Sequence, residues 1–326
     1  MKKIFLLLLI LSNSFLIIAG CTNSSNTNEN ATTVDASSII KDLEKGKDIY
    51  YKNATINGNL DFTSLKKKTI ESSDNYRIYI NSSITFDNCT FTGNVSCFKT
   101  DDKKAKYFVR FNKSVNFLNC KFKEEVLFNE AIFDGIVNFS QSIFDKKAGF
   151  EGAYFKNKDN YFSSTFFKDE AKFHRIVSLG NINFMRAVFE GITYFQNAVF
   201  HGIAQFSASN FKKYVEFTSI SAMRDFNLNQ SIFKDKAIFN NSVFHEKAQF
   251  NNAVFAGYTS FEKVVFMGLV QMNELVSQKD MIITESTFLM GIPETDKIKI
   301  ENPEGLKITN SFYSTNKEFT KTEIIK

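Results

Sequence analysis

Asn116, Asn138, Asn160, Asn183, Gln205, Asn227, Gln249 and Gln271 follow one another every 22 residues, with a single step of 23. A carboxamide carries one acceptor and two donors. A column of them can therefore bond to itself as a ladder, or offer a flat uncharged strip to the hydroxyls of a sugar polymer. The ladder is the favoured reading, because its amides spend their donors and acceptors on one another. The other reactive side chains are sparse. His201 and His245 lie two repeats apart, about 10 Å if the repeats stack at ~4.8 Å, too far to share a metal. His174 falls on another side of the repeat. Cys89 and Cys120 sit in matching F-x-N-C-x-F stretches at 86–91 and 117–122. They either stand in for Ala in a core or close a disulfide, and Cys97 takes a large-residue position. No Gly-rich phosphate loop, G-x-S-x-G or H-E-x-x-H occurs, so no enzyme chemistry, metal or cofactor is indicated.

The elements that carry these side chains follow from phenylalanine, which occurs 38 times in 326 residues while Trp is absent and Pro occurs twice. From Phe111 the rings recur at alternating steps of six and five, which sorts them into four columns. The first runs Phe111, Phe133, Phe155, Ser178, Phe200, Ala222, Phe244, Phe266 and Phe288. The second runs Phe117, Phe139, Tyr161, Phe184, Phe206, Leu228, Phe250 and Met272. The third begins at Phe122 and the fourth at Phe128. One extra residue is expected between Tyr161 and Phe167, as a bulge at a corner. A smaller residue, often Ala, stands two positions before each column member, so the pair shares one face of a short strand. A period near 5.5 would scatter the rings around a helix, which excludes helical units. Where Ser178 and Ala222 interrupt column one, either Leu179 and Met223 turn inward or the core narrows.

A small-x-Phe unit repeated every five or six residues resembles the pentapeptide-repeat family in a Phe-rich form. The resemblance covers roughly residues 80–290. It implies an all-β fold, a right-handed quadrilateral β-helix, here of about 9–10 coils with a short N-terminal capping helix. The column residues would stack inside, each turn packing on its neighbours. Some cytoplasmic members imitate DNA, which needs an acidic surface that this chain lacks.

The N-terminus reads as a separate signal. Lys2 and Lys3 precede an apolar run from Ile4 to Ile18, which ends in Ala19-Gly20-Cys21. This resembles a bacterial lipoprotein signal, with 1–20 removed and Cys21 lipidated; two acyl chains would hold the protein at the membrane, on its extracytoplasmic side. Residues 21–35 then read as a flexible tether, 36–48 as a capping helix with a Ser N-cap and Gly46 after it, 49–292 as the repeat, and 293–326 as a cap and loose tail. Two polar insertions break the beat, at 63–76 and 98–107. Loops can vary without disturbing a scaffold, so Lys66, Lys67, Lys68, Asp101, Asp102, Lys103 and Lys104 are the candidate contact residues.

The chain's net charge is +5, or +3 without the two leader lysines, with the basic residues read as scattered. That argues against nucleic acid. Outward Ile and Val before columns one and three, among them Ile132, Val199, Ile143 and Val254, form two stripes that are either β-propensity alone or a seat for a partner or second copy. The function expected is a non-catalytic, membrane-anchored scaffold for an unknown protein or cell-wall partner. The alternative is an extracytoplasmic β-helix that binds polysaccharide.

Overall fold

The alternation of six and five records two kinds of corner. After columns two and four the chain turns through a residue in the left-handed region, as at Gln141 (φ 60°), Arg186 (φ 59°), Asn197 (φ 58°) and Ala208 (φ 56°). The turn closes with a bond across it, such as Ala187 N–H to the Phe184 carbonyl at 2.9 Å, and the next ring follows after five residues. After columns one and three no side chain enters that region in the regular coils, and the wider corner takes six. Some wider corners stack so closely that glycine is needed: a Cβ on Gly180 would stand 2.3 Å from the Lys158 backbone.

The computed structural model describes residues 32–302, 305–315 and 318–325. The leader, Cys21 and the tether as far as residue 31 lie outside the described residues. The fold is a four-sided β-solenoid of about 13 turns, nearly all strand, with one α-helix near its start. Twelve parallel strands stack on the side that holds column three, from Thr32–Asp35 to Lys299–Ile300. Twelve rungs at ~4.8 Å span roughly 53 Å. The coil is longer than the 9–10 turns expected, because both ends of the chain join it. Thr32–Asp35, read as tether, pairs in parallel with Ala54–Asn57. The helix, Ala36–Glu44, follows at once, with Asp35 rather than a serine at its N-cap. It buries Ala36, Ile39 and Leu43 against the first coil.

Inside, the rings stack as the columns require. Column three runs unbroken from Phe91 to Phe255, with Phe189 and Phe211 4.8 Å apart and 1° from parallel. Rings of neighbouring columns meet edge-on, as Phe173 meets Phe184 at 5.0 Å and 82°. Each buried ring contributes on the order of 1.5–3 kcal/mol, with offset and edge contacts adding about 0.5–1.5 kcal/mol per pair.

Two coils depart from the expected columns, one in register and one in the residue that fills the core. The extra residue lies before residue 161, because Phe155 and Phe162 are the consecutive column members. Phe162 stacks 5.3 Å from Phe139 and 4.9 Å from Phe184, while Tyr161 pairs outward beside Asn138. This six-residue corner absorbs a seventh residue. Asn160 is thereby turned inward and is 1% exposed. Its Nδ2 donates to the Asn181 carbonyl at 3.3 Å and lies 3.5 Å from the Ser178 hydroxyl, so two polar groups occupy the space of the missing column-one ring. The second gap, at Ala222, is filled by neither expected residue. Leu179 is 41% exposed and Met223 stays half-buried. Phe226, in a slot that holds Ala, Val or Ile in the other coils apart from Asn160, turns its ring into the gap, 5.2 Å from Phe244 and 5.4 Å from Phe206.

At the far end, Leu306–Thr315 forms the last rung of two sides, pairing with Met281–Thr284 and Thr287–Phe288. Glu318–Ile325, read as a loose tail, folds back antiparallel along it. The outer edge of that rung is thereby covered, which blunts further strand pairing.

Candidate functional site

The two insertions break the same corner, between columns four and one, in consecutive coils. Phe62 and Cys97 hold column four before them, and Ile80 and Phe111 hold column one after them. Two chains leaving one corner of neighbouring coils emerge side by side and can continue the ladder outward. Asn75–Ile80 accordingly pairs in parallel with Lys106–Phe111 along six residues, where an ordinary rung has two. Each long strand recruits an antiparallel one, Thr69–Ser72 and Phe98–Thr100. The two loops thus form a single four-stranded flap.

Register gives the flap two faces. Thr69, Arg77, Phe108 and Phe98 stand in line on one. Arg77 holds Glu71 through Nε and Nη2 at 2.9 and 3.0 Å, lies 4.9 Å over the Phe108 ring, and donates to the Glu130 carbonyl at 3.2 Å. This face leans on the solenoid corner. Between them runs a groove of about 510 Å³ lined by Phe98, Lys106 and Phe108 on the flap and Asn129, Glu130, Glu151 and Arg175 on the corner. Burial raises the Glu151 pKa, but His174 Nε2 at 2.9 Å and the Arg175 guanidinium outweigh it and hold the carboxyl below its usual range.

The other face carries Ile70, Tyr76, Tyr107 and Lys99 in line. Tyr76 and Tyr107 stack at 5.1 Å and 13°, and Lys68 Nζ stands 4.3 Å over the Tyr107 ring. Ile70 is 70% exposed.

Of the seven expected contact residues, Lys66 is exposed, 3.9 Å from Glu44, Lys67 is exposed, and Lys68 belongs to the free face. Asp102, Lys103 and Lys104 form the outer turn of the second hairpin, with Lys104 at φ 66°. Asp101 is different. It accepts from the Lys103 and Ala105 amides and from the Tyr107 hydroxyl, each at 2.9 Å, so it closes the hairpin rather than offering its charge. The hydroxyl bond lowers the Asp101 carboxyl and raises the Tyr107 phenol. Tyr76, Arg77, Phe98 and Phe108 were passed over in the sequence. Their signal was the shared phase of Ile80 and Phe111, which puts both insertions at one corner. Charge was also misread as scattered. Residues 66–113 hold ten Lys or Arg and five Asp or Glu, a net +5 equal to that of the whole chain.

The carboxamide column departs from a ladder. Asn160 is buried and Tyr161 takes its outward place. The Oδ1 atoms of Asn138, Asn183 and Asn227 accept from the amide two residues on, at 2.9, 2.8 and 2.9 Å. Asn116 donates to Thr85 Oγ1 at 3.2 Å. Gln249 lies 3.5 Å from the Asn229 amide, while Gln205 Oε1 has no partner and Gln271 ends the side. The column braces its own turns, and among the described residues no hydrogen bond joins successive members. A self-bonded ladder does form at a left-handed corner, where Asn119 Nδ2 donates to Asn88 at 3.3 Å and Asn88 Nδ2 to Asn53 at 2.8 Å. The apolar stripes, including Ile132 and Val199, are half-buried.

Cys89, Cys97 and Cys120 are buried free thiols. Burial pushes Cys97 and Cys120 up. Among the described residues no cluster of His, Cys, Asp and Glu could hold a metal ion, and no helix is long and apolar enough to cross a membrane.

No curated protein and no solved structure matches the chain. A family model described as pentapeptide repeats (9 copies) matches residues 109–153, 169–221 and 228–274. The first gap spans the seven-residue corner before Phe162, and the second spans the Phe226 replacement. Over the matched residues the β-solenoid carries pentapeptide repeats, in keeping with its ring columns and four sides.

Proposed function

We propose that the protein is a non-catalytic, membrane-anchored lipoprotein that works as a rigid scaffold, with lipidated Cys21 as its anchor and the flap as its contact region. One observation carries the reading: long insertions leave one corner in consecutive coils and build a projecting sheet that holds the chain's excess charge. A solenoid whose interior is filled with rings offers no cavity for chemistry, so its surface is what it presents. The protein partner is assigned to the groove between the flap and Glu151 and Arg175, where aromatic rings adjoin paired charges.

The test is affinity capture from envelope extracts with the full chain, compared with a version whose residues 67–74 and 99–105 are replaced by short turns. Loss of specific partners from the shortened form is expected, and equal recovery by both would overturn the contact assignment. Cys21→Ser should release the protein from acyl labelling; continued labelling would overturn the anchor.

A second reading, binding of wall polysaccharide, draws on the carboxamide column, whose amide donors are not spent on one another. Retention of the full chain on purified wall glycans, lost when Asn183 and Gln205 are replaced by Val, would favour it over the scaffold reading.

A further inference from the structure

We infer that the free face of the flap docks on an anionic lipid surface, giving the solenoid a second attachment to the membrane beside its anchor. This rests on the anchored reading above.

The face has the composition of a membrane interface. Tyr76 is a half-buried ring with a polar tip, suited to headgroup depth, and it stacks on Tyr107, whose hydroxyl is held by Asp101 and whose ring leans on the core. Ile70 projects from the outermost strand and is 70% exposed, although its neighbours offer no core to cover it. Lys68 and Lys99 flank the rings, and Lys66 and Lys67 precede them with long stems that can lie along apolar surface while their ammonium groups reach phosphate. The opposite face leans on the solenoid corner through Arg77 and Glu130 and holds the groove assigned to a protein partner, which leaves this face for a lipid surface.

Charge complementarity selects the occupant. Segment 66–113 is +5, and the remainder of the chain sums to zero. An anionic surface therefore attracts this end of the rod more than the rest, and Lys66, Lys67, Lys68 and Lys99 are the cations at its free face. Chain length agrees. Ten residues separate Cys21 from Thr32, a reach of at most ~36 Å, and Thr32 opens the same end of the solenoid from which the flap projects.

The chain has no Trp, so Ile70→Trp supplies a unique fluorophore, with Phe312→Trp, on the last coil and 44% exposed in the native chain, as the control. Each full-length variant is reconstituted into vesicles whose acyl chains are brominated, either with phosphatidylglycerol or with phosphatidylcholine alone. The expected result is at least ~2-fold stronger quenching of the flap reporter in phosphatidylglycerol vesicles than in phosphatidylcholine, with the control unchanged. Raising the salt, which shortens electrostatic reach, or replacing Lys66, Lys67 and Lys68 together by Gln should abolish the difference. Far-UV circular dichroism of that triple variant checks that the exposed substitutions leave the fold intact. Equal quenching of the two reporters, or equal quenching in both lipids, overturns the proposal. So does retention of the flap variant on a purified polyphosphodiester at a salt concentration that abolishes the phosphatidylglycerol difference, which would make a wall polymer its ligand. If the anchor alone is misassigned, the protein fails to sediment with phosphatidylcholine vesicles while phosphatidylglycerol still quenches the flap reporter.

Discussion

Phe226 and Phe244 stand 5.2 Å apart at an interplanar angle of 57°, so a ring from one side of the coil rests on a ring from the side before it. Column one is continued this way past Ala222, with Phe200 6.2 Å away on the other flank. Phe226→Ala should cost about 3–5 kcal/mol, read from urea melts. Restoring the ring in its regular place, as Ala222→Phe with Phe226→Ala, should recover more than half of that. A double variant no more stable than the single one would show that the two positions do not share one space.

Much of this was legible beforehand. Ring spacing alone placed Phe189 over Phe211 and set the four sides, because a stacked interior tolerates little else at a five-and-six beat. Spacing could not say which of two adjacent aromatics faces inward. Tyr161 and Phe162 both fit, and only packing between Phe139 and Phe184 selects the ring without a hydroxyl. The flap escaped notice for a related reason. Its strands are joined by parallel pairing between residues 31 apart, which no local pattern announces. Asp101 looked like free charge because the amides it closes on belong to its own hairpin.

Acid should loosen the root of the flap. Arg110 Nε and Nη2 donate to the Asp134 carboxylate at 2.6 and 3.1 Å, with Lys156 3.4 Å away. Burial opposes the charge, but these cations outweigh it and hold the Asp134 carboxyl below its ordinary 3.8. The unfolded chain takes up the proton first, at the ordinary value. The stabilisation is therefore complete well above that value and is lost as pH falls through the depressed one. Arg110→Gln should cost up to ~1 kcal/mol at neutral pH, with the gap from wild type closing towards pH ~2. A gap constant across that range in urea melts would refute the linkage.

The C-terminal strand should govern assembly. Removing residues 316–326 bares the edge of Leu306–Thr315, ten residues long, whose hydrogen-bonding groups would then seek another chain. Light scattering should show the average mass roughly doubling or more as concentration rises. A truncated chain that stays monomeric at every concentration would show that the edge is protected without its covering strand.

Because each coil leans only on the one before and the one after, the molecule is in effect a ruler. Excising one regular 22-residue turn would shorten the distance from flap to C-terminal strand by a single graduation of ~4.8 Å. The turns around Asn160 and Phe226 are the exceptions, keyed to specific neighbours, and they fix where the scale may be cut.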